Sequence, residues 1–299
     1  MAEFKRGIRK DGMIEALAEL AKQPGWWRDV LHDKSLVIGV RDDYLNVYWR
    51  GQSIFKVEMK HDRIIATTHP KYLLDPDLSG QVALDTETGA FALDGLDALT
   101  RTYVPGETLP KLKKAAALFA GDEKAGVQAI VNANPNVVDV EIAFPAEPGS
   151  RSAPRIDIAT FNETDAGVKL VFWEAKVLGN PELSTSGEKN VVTQIDRYVK
   201  RLIQSRAVVI ETYQTIARNL VSIAEMSGGA RTVSEVVRKV AEGAPLTLSP
   251  SPDVHLIVYG FDKDQRDGAW KKLKAILVEE FKDKNIAIQA YGKPSDIKL

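Results

Sequence analysis

The residues with the most chemical potential lie between Asp157 and Tyr198. Arg155-Ile156-Asp157-Ile158-Ala159 is followed by Val171-Phe172-Trp173-Glu174-Ala175-Lys176, and then by Gln194-Ile195-Asp196-Arg197-Tyr198. The first two segments are short apolar runs rich in Ile, Val and aromatic residues, which predicts strands, and the third predicts an amphipathic helix. Side chains alternate across a strand, so Glu174 and Lys176 project from one face while Trp173 and Ala175 project from the other. Two carboxylates from neighbouring strands, converging at one end of a sheet, can bind a hard, oxygen-seeking cation. The chain has no cysteine and four histidines, so thiolate and histidine-rich zinc chemistry drop out. Mg2+ or Mn2+ is the expected cofactor, with Asp157, Glu174 and the Ala175 carbonyl as its ligands. Lys176 alongside would orient or help deprotonate an attacking water and offset charge in a phosphorane-like transition state. The structural alternative is a same-face ion pair between Glu174 and Lys176, with Asp157 as a surface acid.

These residues need a sheet to hold them, and the rest of the chain predicts one. A helix is expected over about 8–22, with Met13, Ile14, Leu17 and Leu20 on one face, and Pro24-Gly25 stops it. Three alternating runs follow at 36–40, 44–49 and 54–59, with turn compositions between them, and predict a small antiparallel meander. Trp26, Trp27, Tyr44, Tyr48 and Trp49 are read as packing aromatics rather than a base-stacking platform. Pro and Gly thicken from 70 to 110, with a further hairpin signal at Thr86-Glu87-Thr88-Gly89 and a domain boundary near 105.

Beyond that boundary, helices are expected from Thr108 and from Asp122, the latter as a capping residue, with Glu123 on the apolar stripe of the second helix. A strand over 137–144 puts Asp139 and Glu141 on its polar side. A hairpin joins the Asp157 strand to the Glu174 strand. A helix over 188–204 carries Gln194, Tyr198 and Arg201 on one flank, and helices continue to Ser227-Gly228-Gly229. A helix near 232–242, a strand at 255–259, a helix over 265–281 and a strand at 286–291 complete the order. The expected fold is α/β in the α+β sense: a mixed central sheet flanked by helices on both faces, preceded by a small helix and antiparallel β-meander module. Residues 1–105 form that N-terminal module. Residues 106–299 form the main domain, with a helical insertion at about 205–250.

Composition sets outer bounds. The chain has 299 residues, 44% hydrophobic and 27% charged, with a formal net charge of -1. That is ordinary globular composition, and any nucleic-acid contact must come from a local patch. The charged N-terminal stretch lacks a signal-peptide pattern and no later apolar run approaches spanning length, so no membrane partner and a cytoplasmic location are expected.

The pattern of Asp157, Glu174-Ala175-Lys176 and Gln194-x-x-x-Tyr198 resembles the PD-(D/E)xK nuclease superfamily. The Gln-x-x-x-Tyr element is similar to that of its recombination-exonuclease branch. The resemblance covers about 107–204 and, after the helical insertion, the strand near His255. It implies a restriction-endonuclease-like core of helix, three strands, helix and strand. Glu123 matches the acid that branch often carries on its first core helix, with Glu107 and Glu141 as competitors for the third acid. Ile156 stands where a proline would precede the first acid. The resemblance implies a Mg2+-dependent DNA nuclease in which Gln194 and Tyr198 shape the site or contact nucleic acid. Arg197 and Arg201, with Lys189, Lys200 and Arg206, would supply phosphate contacts. A catalytically inactive nucleic-acid or protein binding module on the same fold, and an RNA nuclease, are the alternatives. A homodimer is left open.

Overall fold

The computed structural model describes residues 4–73, 102–145, 154–184 and 190–299. The hairpin expected around Thr86 to Gly89 lies outside the described residues, as does Lys189.

The N-terminal part opens with α1 (Met13–Ala21), whose Met13 and Leu17 are buried, and α2 (Trp26–His32). The latter has seven residues, too few for hydrophobic periodicity to declare it. The strands β1 (Val37–Val40), β2 (Tyr44–Trp49), β3 (Gln52–Lys60) and β4 (Arg63–Thr67) then form an antiparallel sheet in sequence order. The expected meander thus has a fourth strand. The turn into it uses His61 and Asp62, both at positive φ (48° and 58°), the conformation of a type I′ hairpin made without the usual glycine. The strand itself is partly exposed along its length, so it carries little apolar alternation.

After a 3-10 turn at Pro70–Tyr72 and α3 (Thr108–Ala117) comes α4 (Asp122–Ala133). Gly121, rather than Asp122, is the N-cap of α4, and no side chain caps it; Asp122 and Glu123 lie in its first turn, where negative charge suits the helix dipole. The strands β5 (Val137–Ala143), β6 (Arg155–Thr164) and β7 (Gly167–Val177) run antiparallel to one another. Two abutting helices follow, α5 (Val191–Gln204) and α6 (Arg206–Met226), broken at Ser205. Asn190 caps α5, its side chain accepting from the Thr193 N–H at 2.8 Å. Then come α7 (Glu235–Ala241), the short β8 (Leu246–Thr247), β9 (Val254–Tyr259), α8 (Lys263–Gln265), a π-helical stretch at Arg266–Trp270, α9 (Lys271–Phe281) and β10 (Ile288–Tyr291).

The second sheet has the order β10-β9-β7-β6-β5, with β8 also pairing β7. Because β9 runs parallel to both β7 and β10, the sheet is mixed. Helices cover both faces. On one, Phe161 and Phe172 pack edge-on against Tyr213 of α6; on the other, Ile158, Val171, Trp173 and Ile257 cluster with Val127 and Ile130 of α4. The fold is therefore α+β, as expected from the order of elements.

The two sheets share one continuous core, to which Leu17 and Val57 contribute from the N-terminal part and Phe172 and Val258 from the mixed sheet. Asp139 corrects the polar-side expectation for β5. An irregularity between Val137 and Asp139 breaks the alternation, and Asp139 is buried at 3% exposure. There it accepts from Arg6 (3.1 Å), Arg41 (2.8 Å) and Tyr213 (3.3 Å). Arg231 makes a second tie by donating to the carbonyls of Val30, Leu31, Asp33 and Leu36, where α2 ends. No helix among the described residues is long and apolar enough to cross a membrane.

Candidate active site

Asp157 and Glu174 face each other across β6 and β7. They lie one step beyond the paired residues Ile158 and Trp173, on the sheet face that carries Phe172 toward the α5 and α6 side. The Ala175 N–H donates to Asp157 Oδ2 at 2.8 Å, fixing one carboxylate oxygen of Asp157. Behind them, Trp173 Nε1 donates to the buried Thr160 hydroxyl at 3.0 Å and holds the two strands in register from the opposite face. Glu174 and Lys176 are 2% and 5% exposed, whereas Asp157 keeps an opening to solvent.

Lys176 Nζ is held between two acids, 2.8 Å from Glu174 Oε1 and 2.6 Å from Glu182 Oε2. Local sequence explains the second contact. Asn180 caps a 3-10 turn headed by Pro181, its side-chain oxygen accepting from the Glu182 N–H at 2.8 Å, and this folds the chain back over Lys176. From α5, the Tyr198 hydroxyl donates to the Arg155 carbonyl at 2.6 Å, pinning the helix to the start of β6. Gln194 lies one turn earlier on the same flank. Among the described residues, Glu174 Oε2 and Gln194 Oε1 are buried acceptors without a hydrogen-bond partner.

The charges are arranged at a cost. Burial pushes the Asp157 carboxyl up to about 7; the Ala175 N–H and Lys176 oppose this, while Glu141 and Glu123 reinforce it. Burial, and then the adjacent Asp157, push Glu174 well above the usual carboxylate range, against the pull of Lys176. Burial alone would lower Lys176, but Glu174, Glu182 and Asp157 outweigh it and hold the ammonium above its ordinary value. Burial, Glu174 and Asp157 push the Tyr198 hydroxyl up, so it stays a donor.

Of the candidates for a third acid, Glu141 and Glu123 both act on Asp157. Glu141 stands opposite Asp157 on β5, between the pairs Val140 with Ile158 and Ile142 with Ile156. Its backbone takes φ 52°, a strained value for a non-glycine residue, and its carboxylate pairs with Arg155 at 2.8 Å and Lys124 at 3.5 Å. Glu123 accepts from Asn180 Nδ2 at 2.5 Å, and its carbonyl accepts from the Tyr259 hydroxyl at 2.5 Å. That approach of α4 to β9 requires Gly126, where a Cβ would run into the Tyr259 ring. Glu107 is exposed at the N-cap of α3. Among the described residues, no group of three or more His, Asp or Glu side chains converges to hold a metal.

The predicted phosphate contacts fare unevenly. Arg197 and Lys200 are exposed on α5 and Arg201 is half-buried. Arg206 is a correction: its guanidinium donates to the carbonyls of Leu248, Ser249 and Pro250 and fastens the loop before β9, so it is a structural residue. Sequence reasoning misses Glu182 and Asn180, although the Asn-Pro-Glu turn directly after the Glu-x-Lys strand is a local signal for both. Arg6 and Arg41 have no such signal, because their partner lies about a hundred residues away along the chain.

No family model, curated protein or solved structure matches the chain. What the site can do is decided by its own geometry.

Proposed function

We propose that this protein is a Mg2+-dependent nuclease that hydrolyses phosphodiester bonds of DNA. The observation that carries the proposal is the cross-strand pair of Asp157 and Glu174 with Lys176 between two acids beside it. The donor set fits a hard cation: oxygen ligands alone, one of them, Glu174 Oε2, a buried acceptor with no partner. Asp157, Glu174 and the Ala175 carbonyl would hold Mg2+, which when bound supplies neutralising charge at the scissile phosphate and a more acidic water.

The chain's own residues divide the remaining work. In the hydrolysis, a water oxygen gives up a proton to solvent as it forms a new bond to phosphorus, and one ester P–O bond breaks as the leaving oxygen takes a proton from solvent. Lys176, held protonated by its acids, orients that water and offsets charge on the phosphoryl oxygens; a proton acceptor it is not. Tyr198 and Gln194 form the α5 wall. The order α4, β5-β6-β7, α5 and then β9 supports the resemblance to the PD-(D/E)xK superfamily, whose core is helix, three strands, helix, strand. One feature favours a second reading. The tight Glu174, Lys176 and Glu182 bridge would suit a pocket that binds nucleic acid without cutting it.

The test is incubation of the purified protein with linear, circular and single-stranded DNA in Mg2+ or Mn2+, beside Asp157→Asn and Lys176→Ala, with circular dichroism as the check on folding. Cleavage by the wild type that disappears in both variants supports the nuclease. Cleavage that survives both changes would sink it, and metal-independent DNA binding without any cleavage favours the second reading.

A further inference from the structure

A cleft of about 390 Å3 opens where the four-stranded sheet meets β5 and the start of β6. Its walls carry the cations Lys5, Arg6, Arg41, Lys124 and Arg155, with Glu141 as the acid among them. Behind the wall, Arg6 and Arg41 share the single carboxylate of Asp139. Among the described residues, Arg6, Arg41, Lys124 and Arg155 outnumber the carboxylates of Asp139 and Glu141 that pair with them, and leave the cleft positive on a protein of formal net charge -1, a local patch of the kind that holds polyanions.

The polar groups inside are aimed as well as charged. Tyr48 Oη accepts from Arg41 Nη2 and from Asn46 Nδ2, both at 3.0 Å. Those two bonds occupy its lone pairs and leave its own proton for an acceptor in the cleft. Arg41 is 5% exposed and its Nη hydrogens are taken by the Val40 and Val140 carbonyls, Asp139 and Tyr48, so it holds Tyr48 Oη in place and adds positive charge before any ligand arrives. The β2–β3 turn closes against α4 at Gly51, where a Cβ would run into Lys124. Lys124 is thereby placed on the wall of the cleft, where it pairs with Glu141.

The cleft adjoins the proposed catalytic pair. Glu141, which pairs with Lys124 and Arg155 in the cleft, is the cross-strand neighbour of Asp157, and Arg155 lies two residues before Asp157 on β6. Its volume is that of a small-ligand site, room for a stretch of one phosphodiester backbone.

We infer that this cleft, built jointly by the N-terminal sheet and the β5–β6 edge, grips the phosphodiester backbone of single-stranded DNA and leads it to Asp157 and Glu174. The N-terminal module is then part of the substrate path, and an aromatic hydroxyl in a field of cations meets the phosphates while bases stay unread. The destination of the strand rests on the nuclease proposal, whereas the grip does not.

The experiment is fluorescence anisotropy of a labelled oligothymidylate with the full-length protein in EDTA, over a salt series. The variants are Lys5→Glu/Lys124→Glu, the milder Lys5→Gln/Lys124→Gln, and Tyr48→Phe. Both lysines are solvent-exposed or half-exposed, and melting curves verify the fold. The charge-reversed pair is expected to bind at least about tenfold more weakly, with the slope of log affinity on log salt reduced by about 0.7 for each phosphate that no longer meets a cation. The neutral pair should fall between it and wild type, and Tyr48→Phe should lose a few-fold. Unchanged affinity and slope in the charge-reversed pair overturns the inference, as does absence of binding by wild type, or a duplex or RNA preferred over the oligothymidylate. Wild type that binds through the cleft but never cuts in Mg2+ ends the nuclease proposal and leaves the cleft standing. Wild type that cuts while the charge-reversed pair binds and cuts normally does the reverse.

Discussion

Lys176 and Glu182 approach to 2.6 Å while Glu174 holds the same ammonium at 2.8 Å from the other side. The two acids are not equivalent partners. Glu174 is buried, whereas the Glu182 side chain is 34% exposed. Truncating Lys176 leaves a buried carboxylate without its cation, which costs about 3–5 kcal/mol; truncating Glu182 removes a half-exposed partner, worth about 1 kcal/mol or less. Urea unfolding of Lys176→Met and Glu182→Gln should therefore give losses of very different size. Equal losses would mean that Glu182, rather than Glu174, is the principal partner.

Asp157 is crowded, lies beside Glu174 and has a carboxyl pushed up to about 7. Two carboxyls buried side by side destabilise the fold when they ionise. Asp157→Asn keeps the size and removes the charge, so the metal-free protein at about pH 8 should melt a few degrees higher than wild type, on the scale of about 2–4 °C per kcal/mol for a chain of this size. The same variant should lose any Mn2+-dependent rise in melting temperature shown by wild type. A destabilised Asp157→Asn protein that still gains stability from Mn2+ would place the cation elsewhere.

The strands of the site were legible because Ile, Val and aromatic residues surround Asp157 and Glu174, and a two-residue period fixes which side chains share a face. Neighbouring placement of β6 and β7 followed from the short turn at Gly167. Asp139 was not legible. An irregularity in β5 reversed its face, and the arginines that make its burial tolerable come from Arg6 and Arg41, far along the chain. The cleft escaped for the same reason: its cations are dispersed in sequence at Lys5, Arg41, Lys124 and Arg155 and converge through tertiary packing alone. The cations of α5 lie close together in sequence, whereas Arg206, at the start of α6, fastens the loop before β9.

Gly126 sets how closely α4 approaches β9. Its missing Cβ makes room for the Tyr259 ring, whose hydroxyl donates to the Glu123 carbonyl. Gly126→Ala gains helix propensity but forces the ring or the helix to move, and overpacking of this kind costs about 1–3 kcal/mol. The clash should dominate. Combining it with Tyr259→Leu, which removes the ring, should recover part of the loss by the non-additivity of contacting pairs. Thermal melts of the two single variants and the double variant check this, and additive effects would show that Tyr259 is not what excludes a side chain at position 126.

His255 supplies a pH dependence away from the acids of the site. Its Nδ1 accepts from the Ala287 N–H at 3.1 Å, a bond that needs the neutral imidazole, and its ring meets Trp173 edge-on at 5.0 Å. Burial lowers its pKa, with Lys169 acting in the same direction and Asp253 opposing. The unfolded chain, with histidine near 6.5, then takes up the proton more readily than the native one. The sign follows: this contribution to stability is present above about pH 6.5 and is lost as pH falls toward the lower native value. Melting temperatures of wild type and His255→Gln, measured from about pH 7.5 down to about pH 5, should converge toward the acid end because the variant lacks this proton uptake. Parallel curves would show that His255 titrates as it does in the unfolded chain and that its bond to Ala287 carries no preference for the neutral ring.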